Sequence, residues 1–393
     1  MNIKSIKEIK DLKNKKVLLR VDYNVPVENK KIKDDFRIKS SYESINYLLE
    51  KGAKVIIFSH LGRAKGKVDK ENSLKPIALY LKNNFNKNLI FIPEHEPNKI
   101  KKELDDLDNF NLFLLENVRF NQGELDDDKE FSKKLASIAD IYVNDAFSVC
   151  HRSQASVSTI KNYLPSYAGF LVEKEVEALD KIINPDKPLI AIMGGAKIST
   201  KAPLIFNLYK KADNILIGGA LANVFFKSQG LEIGKSYCEN EVDKSIIKKM
   251  QEKKYLNKII LPIDVVVRNS KGVKRNCSPS EVKKNEEILD IGSETISLFS
   301  KHIKKANTLI WNGPMGKFEE HAFLQGSLSV ARSIASHAKG PSFGVVGGGE
   351  SIEVLAMTKM SEYVDFISTA GGAMLSYLSG EEMPGLDKII KYN

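Results

Sequence analysis

The stretch LIAIMGGAK at residues 189–197 is an unbroken apolar run that stops on two glycines and a lysine. A strand with one wetted face would alternate apolar and polar residues. A run without alternation suits a strand covered on both faces, as in a parallel sheet. The residues that follow, 199–211, carry helical spacing, so the local unit is strand, tight glycine turn, helix. The same unit recurs along the chain. In the first half the spacing predicts strands over 17–22, 54–58, 89–92, 112–115 and 141–143, with a helix over 40–51. In the second half it predicts strands over 189–193, 214–217, 259–261, 308–311, 343–346 and 364–367. The expected class is α/β, with two doubly wound, Rossmann-like parallel-sheet domains.

At 393 residues the chain exceeds what one hydrophobic core supports, which also argues for two domains. The segment EKEVEALDKIIN, 173–184, reads as one helix stopped by Pro185 and Pro188. It lies between the two strand series and is expected to connect them across a hinge. One domain is expected on either side of it.

No apolar run approaches the roughly 20 residues of a spanning helix. The first residues, MNIKSIKE, lack the apolar centre of a secretion signal, so a cytoplasmic location is expected. Cys150, Cys238 and Cys277 are far apart, which argues against disulfides or structural zinc. The net charge of +10 comes from scattered lysines rather than one block. Neither nucleic acid nor membrane is the expected partner; small anionic substrates are. Arginine is sparse, and five of the eight stand at 20, 37, 63, 119 and 152. In a lysine-rich chain, arginine marks places where a planar fork must grip phosphate or carboxylate.

Ligands of open parallel sheets bind beyond the carboxyl ends of the strands. In the second half those ends run into Gly194-Gly195-Ala196-Lys197, Gly218-Gly219, Gly313-Pro314-Met315-Gly316, Gly347-Gly348-Gly349-Glu350 and Gly371-Gly372. Such turns let backbone N–H groups and helix N-termini face a nucleotide's phosphates. Neither GxxxxGK nor GxGxxG occurs, which removes the main support for a P-loop or a hydride-transfer enzyme. In the first half the ends are Arg20-Val21-Asp22-Tyr23-Asn24, Ser59-His60-Leu61-Gly62-Arg63, Glu116-Asn117-Val118-Arg119 and Asn144-Asp145, with His151-Arg152 beyond. A nucleotide domain and an anion-binding domain joined by a helix describe a hinged phosphotransferase.

These motifs, in this order, resemble those of the phosphoglycerate kinase family over nearly the whole chain. RVDYNVP at 20–26 is similar to the family's RVDFNVP signature. Residues 59–63, 117–120, 194–197, WNGPMG at 311–316 and the 347–349 turn also match. The resemblance implies that Asp22, Asn24, Arg37, His60, Leu61, Gly62, Arg63, Arg119 and Arg152 bind 3-phosphoglycerate or 1,3-bisphosphoglycerate. It implies that Lys197, Lys201, Gly218, Gly219, Gly292, Glu319, Gly348, Gly349, Glu350 and Ser351 bind ATP or ADP. It further implies two lobes, 1–172 and 185–378, with the tail 379–393 returning to the first, Mg²⁺ held at Glu350, a monomer, and catalysis by Arg37, Lys197 and the Gly371-Gly372 helix start. Glu350 stands where the family usually has aspartate, and Ala370 replaces the first of three glycines. Residues 148–154 diverge around His151-Arg152.

Overall fold

A computed structural model describes residues 2–239, 252 and 257–391. The chain divides into two compact units, Met1–Glu177 with Glu382–Asn393, and Ala178–Glu381.

The first unit is built on six parallel strands: β1 Lys16–Val21, β2 Lys54–Phe58, β3 Ile90–Ile92, β4 Leu112–Leu115, β5 Ile141–Asp145 and β6 Ser166–Ala168. Their order is β3-β4-β2-β1-β5-β6. Its middle strands are buried along nearly their whole length, which is why they read as continuous apolar runs. One face of the sheet packs Val17, Leu19, Val55 and Ile57 against Ile45 and Leu48 of the helix Tyr42–Glu50. The other packs Leu18, Ile56 and Phe58 against Ile100, Leu104 and Leu135. Strand β6 was not expected: SYA is short and half polar, and it is a strand only because β5 pairs with it.

In the second unit the parallel strands are β7 Leu189–Met193, β8 Asn214–Ile217, β9 Ile259–Ile260, β13 Thr308–Asn312, β14 Phe343–Gly347 and β15 Phe366–Ser368, in the order β9-β8-β7-β13-β14-β15. Between β9 and β13 the chain makes a separate antiparallel sheet of β10 Val265–Asn269, β11 Lys274–Cys277 and β12 Glu286–Ile291. Its strands carry charges on half-exposed faces, so no long apolar run announces them.

The helix expected over 173–184 runs Phe170–Ile183. It starts earlier because its first amides are capped from a distance. The Asp145 carboxylate, at the end of β5, accepts from the Leu171 N–H at 2.8 Å and the Val172 N–H at 3.4 Å. That cap lies 26 residues away in sequence, beyond the reach of local capping rules. Burial pushes the Asp145 carboxyl up to about 6.

The register brings the strand ends level. Val21 stands beside Asp145 and Arg20 beside Phe58, while Met193, Ile217, Asn312 and Gly347 are aligned across β7, β8, β13 and β14. In each sheet the chain reverses its direction of travel at one point, between β1 and β5 and between β7 and β13. The loops there diverge and leave a crevice.

Candidate active site

At the β1/β5 crevice of the first unit, the side chains form one polar network. Arg20 is fully buried. Its Nε donates to Ser156 Oγ at 3.0 Å, one terminal nitrogen donates to the Val21 carbonyl, and the other faces His60 Nδ1 at 3.2 Å. Guanidinium only donates, so His60 Nδ1 accepts and the ring proton sits on Nε2. Burial, then Arg20, Arg119, Arg152 and Arg37 in that order, hold His60 well below its usual range. His60 is therefore a neutral donor aimed by an arginine.

Arg119 is 6% exposed. One terminal nitrogen donates to the Gly62 carbonyl at 2.8 Å and the other to Gln154 Oε1 at 3.4 Å. Its buried Nε has no hydrogen-bond partner among the described residues. Burial, followed by repulsion from Arg20 and Arg152, pulls Arg119 down to about 10. The opposing carboxylates are already engaged. Glu124 accepts from the Ser156 amide and hydroxyl at 2.8 and 2.7 Å. Asp22 accepts from Arg37 at 2.9 Å and from Ser148, and the Asn24 amide donates to it at 3.0 Å. Asn24 Oδ1 accepts from the Gly62 N–H at 2.9 Å, and Leu61 offers its carbonyl to Asn117 at 2.8 Å. These contacts join β1, β2 and β4 into one rim. Arg37 sits half-buried on the short helix Phe36–Ser40. Arg152 is exposed, with Nε on His151, while Arg63 is exposed and outside the network.

The second unit holds a cavity of about 350 Å³ lined by Gly195, Ala196, Gly219, Pro314, Met315, Gly316, Lys317, Glu319 and Glu350 on one side. The rest of the lining is mostly apolar, with Phe226, Tyr237, Ile288, Leu289 and Ile291 beside Glu287 and Asp290. This division suits a nucleotide, with a flat base on the apolar wall and phosphates at the glycine turns. The apolar wall comes largely from β12 and the Tyr237 loop, neither of which carries a motif that marks it in the sequence. Asp290, also in the lining, is pushed by burial up to about 7.

The expected nucleotide residues separate by environment. Gly219, Glu319 and Glu350 line the cavity. Lys197 is exposed at the start of the helix Ile198–Tyr209. Lys201 is buried, and its ammonium donates to the carbonyls of Gly194 and Asn312 at 2.5 and 2.9 Å. Burial takes it down to about 8, with Glu350 pulling the other way. Ser351 spends its hydroxyl on the Gly313 N–H at 2.6 Å. Gly218 lies against Met315, where a Cβ would come within 2.5 Å of sulfur. Gly292 lies against Asp264, whose carboxylate caps the helix Ser293–Ile303 through Glu294 and Thr295. Gly348 and Gly349 open the helix Gly349–Met357 that carries Glu350, and no atom crowds Gly349. Gly371 precedes the helix Gly372–Ser379 at φ +53°, a backbone state that favours glycine, with open space around it.

A metal was expected at Glu350. Among the described residues no three acidic, histidine or cysteine groups cluster to hold one. Magnesium commonly uses only one or two carboxylates together with substrate phosphates. The single exposed carboxylate of Glu350 fits a metal that arrives with its nucleotide.

Comparison with known proteins places the chain in a family. The phosphoglycerate kinase family model matches residues 6–381. A phosphoglycerate kinase of Pseudothermotoga lettingae is 43% identical, covering 98% of both chains. That of a Wolbachia from Drosophila simulans is 42% identical over 100% of this chain and 99% of its own. The solved phosphoglycerate kinase of Coxiella burnetii matches with TM-score 0.86 and 37% identity, covering 98% of each chain. That of Pyrococcus horikoshii matches with TM-score 0.82 and 31% identity at the same coverage. The signature segments, the two parallel sheets and these matches agree: the chain belongs to the phosphoglycerate kinase family, whose members are kinases of glycolysis.

Proposed function

We propose that 3-phosphoglycerate, or the 1,3-bisphosphate, binds at the arginine network of the first unit and Mg-ATP or Mg-ADP in the cavity of the second. Phosphoryl transfer between them is direct and reversible. The observation that carries the acceptor site is Arg119. Its Nε is buried without a hydrogen-bond partner among the described residues, and lies among cations whose nearby carboxylates are already bonded. An unpaired buried donor is costly, and a multiply charged anion supplies both the missing acceptor and the missing charge.

The assigned roles follow from position. Arg119, Arg152 and Arg63 hold the phosphate remote from the reacting end. His60 donates from Nε2, and Asp22 and Asn24 fix the hydroxyl and carboxyl end. The attacking group is a carboxylate, already ionised at neutral pH, so no general base has to be found. The transferring phosphoryl group instead needs compensation for charge on its oxygens. Arg37, the exposed ammonium of Lys197 and the backbone N–H groups at Gly371-Gly372 supply it. Lys201 holds the Gly194 and Gly313 turns in register and so shapes the phosphate site from below. Glu350 would hold a magnesium ion that arrives with the nucleotide, and the ion would supply neutralisation of phosphate charge there. The two ligands must meet for reaction, which is why hinge closure, with exclusion of water, belongs to the proposal.

No described helix is long and apolar enough to cross a membrane. We place the enzyme in the cytoplasm as a monomer, in keeping with its small anionic substrates. Consumption of ATP, coupled to NADH oxidation through the acyl phosphate product, should require both 3-phosphoglycerate and magnesium. ATP turnover indifferent to 3-phosphoglycerate would remove the acceptor assignment.

A further inference from the structure

The last residues of the first unit return to the anion site and touch the loop that carries Arg152. That loop, Ala146–Arg152, has little regular structure of its own beyond the single turn Phe147–Val149. Asn144, buried at the end of β5, ties it to the tail. The Asn144 carboxamide oxygen accepts from the Ala146 N–H at 3.1 Å, and its nitrogen donates to the Gly385 carbonyl at 3.0 Å. The same nitrogen lies 3.3 Å from Cys150 Sγ. The Gly385 N–H then donates to the Cys150 carbonyl at 2.8 Å, one residue before His151-Arg152. From the other side, the Lys161 ammonium donates to the Pro384 carbonyl.

The fit is close. A Cβ on Gly385 would stand 2.6 Å from the Cys150 Cα and 2.8 Å from a Val157 methyl. Leu386 and Ile389, just beyond, are fully buried, so the tail cannot simply lift away to make room. Lys161 is itself buried, and that burial takes it down to about 8, so its contact with Pro384 is made at a cost in hydration. Cys150 is pushed by burial to about 12, which leaves it inert packing rather than a nucleophile.

We propose that Pro384–Leu386, seated by Asn144 and Lys161, is a positioning element for the acceptor's phosphate: it fixes the Ala146–Arg152 loop so that Arg152 stays beside Arg119 and His60. Neither the tail nor Asn144 touches the ligand; both act through Arg152. The proposal rests on the reading that Arg152 binds this anion.

Calorimetric titration of the full-length protein tests it, with 3-phosphoglycerate and ADP measured separately. Arg152→Ala should weaken 3-phosphoglycerate binding about 10- to 100-fold. Gly385→Ala, which crowds Cys150, and Lys161→Met, which releases Pro384 without adding bulk, should each weaken it several-fold to tenfold. ADP affinity, a property of the other unit, should stay unchanged, and an unaltered circular dichroism spectrum and thermal melt report that the first unit, which carries the substitutions, is folded. Each tail substitution combined with Arg152→Ala should bind no more weakly than Arg152→Ala alone, because the tail acts through that residue. Three outcomes overturn the proposal. Unchanged 3-phosphoglycerate affinity in both tail variants, with Arg152→Ala impaired, removes the tail's role and leaves the site reading standing. Additive losses in the double variants show that the tail acts elsewhere. Full affinity in Arg152→Ala removes the site reading and the proposal together.

Discussion

Arg37→Ala is expected to lower turnover by about 10²–10³-fold while the protein stays folded, consistent with loss of one preorganised charge stabiliser. Arg37 is half-buried at the rim and donates to Asp22 at 2.9 Å and the Asn24 carbonyl at 3.2 Å. Its removal takes one partner from Asp22, but the Ser148 hydroxyl and the Asn24 amide remain. The local structure therefore keeps two of its supports. If Arg37 works chiefly on the transition state, kcat and kcat/KM should fall together. Arg37→Lys should recover only part of the loss, because an ammonium keeps the charge without the planar fork. Steady-state kinetics beside a thermal melt decide this. Near wild-type turnover in Arg37→Ala would end the assignment.

Lys197→Ala should cost about 10²–10⁴-fold in turnover and almost nothing in stability. Lys197 is exposed, and its ammonium makes no hydrogen bond or ion pair among the described residues. Lys201, four residues on, is its opposite. Buried and held by two carbonyls, it should yield a large loss of stability when replaced by alanine, because Gly194 and Asn312 lose their donor. Paired kinetics and melts on Lys197→Ala and Lys201→Ala separate the two roles. Equal loss of stability in both would contradict the distinction.

That pair also marks where the sequence stops being legible. The two lysines stand four residues apart at one strand-to-helix turn, and only the approach of the Gly194 and Asn312 carbonyls shows which is buried. Ser351 and Gly218 are similar cases. Nothing in the sequence shows that the Ser351 hydroxyl accepts from the Gly313 amide or that Gly218 lies against the Met315 side chain. The parallel strands were legible because burial on both faces forces runs such as LIAIM and KVIIF. The antiparallel sheet β10–β12 was not, because sequences such as KRNC and EEILDI have one half-exposed face. The apolar lining of the second unit's cavity was missed with it. The start of the Phe170–Ile183 helix was missed because its cap comes from Asp145, across the fold. In the first unit the arginines were readable one by one. What ranks them is tertiary: full burial of Arg20, an Arg119 Nε with no hydrogen-bond partner among the described residues, and an exposed Arg63 outside the network.

Direct transfer without an enzyme-bound phosphoryl group is the central claim, and stereochemistry at phosphorus tests it most directly. The substrate is ATP made chiral at the γ-phosphorus with oxygen isotopes and sulfur, and the product thiophosphoryl group is analysed after transfer to 3-phosphoglycerate. A single in-line displacement predicts inversion of configuration. Retention would mean two displacements through a phosphorylated side chain, and would contradict direct transfer between the two substrates.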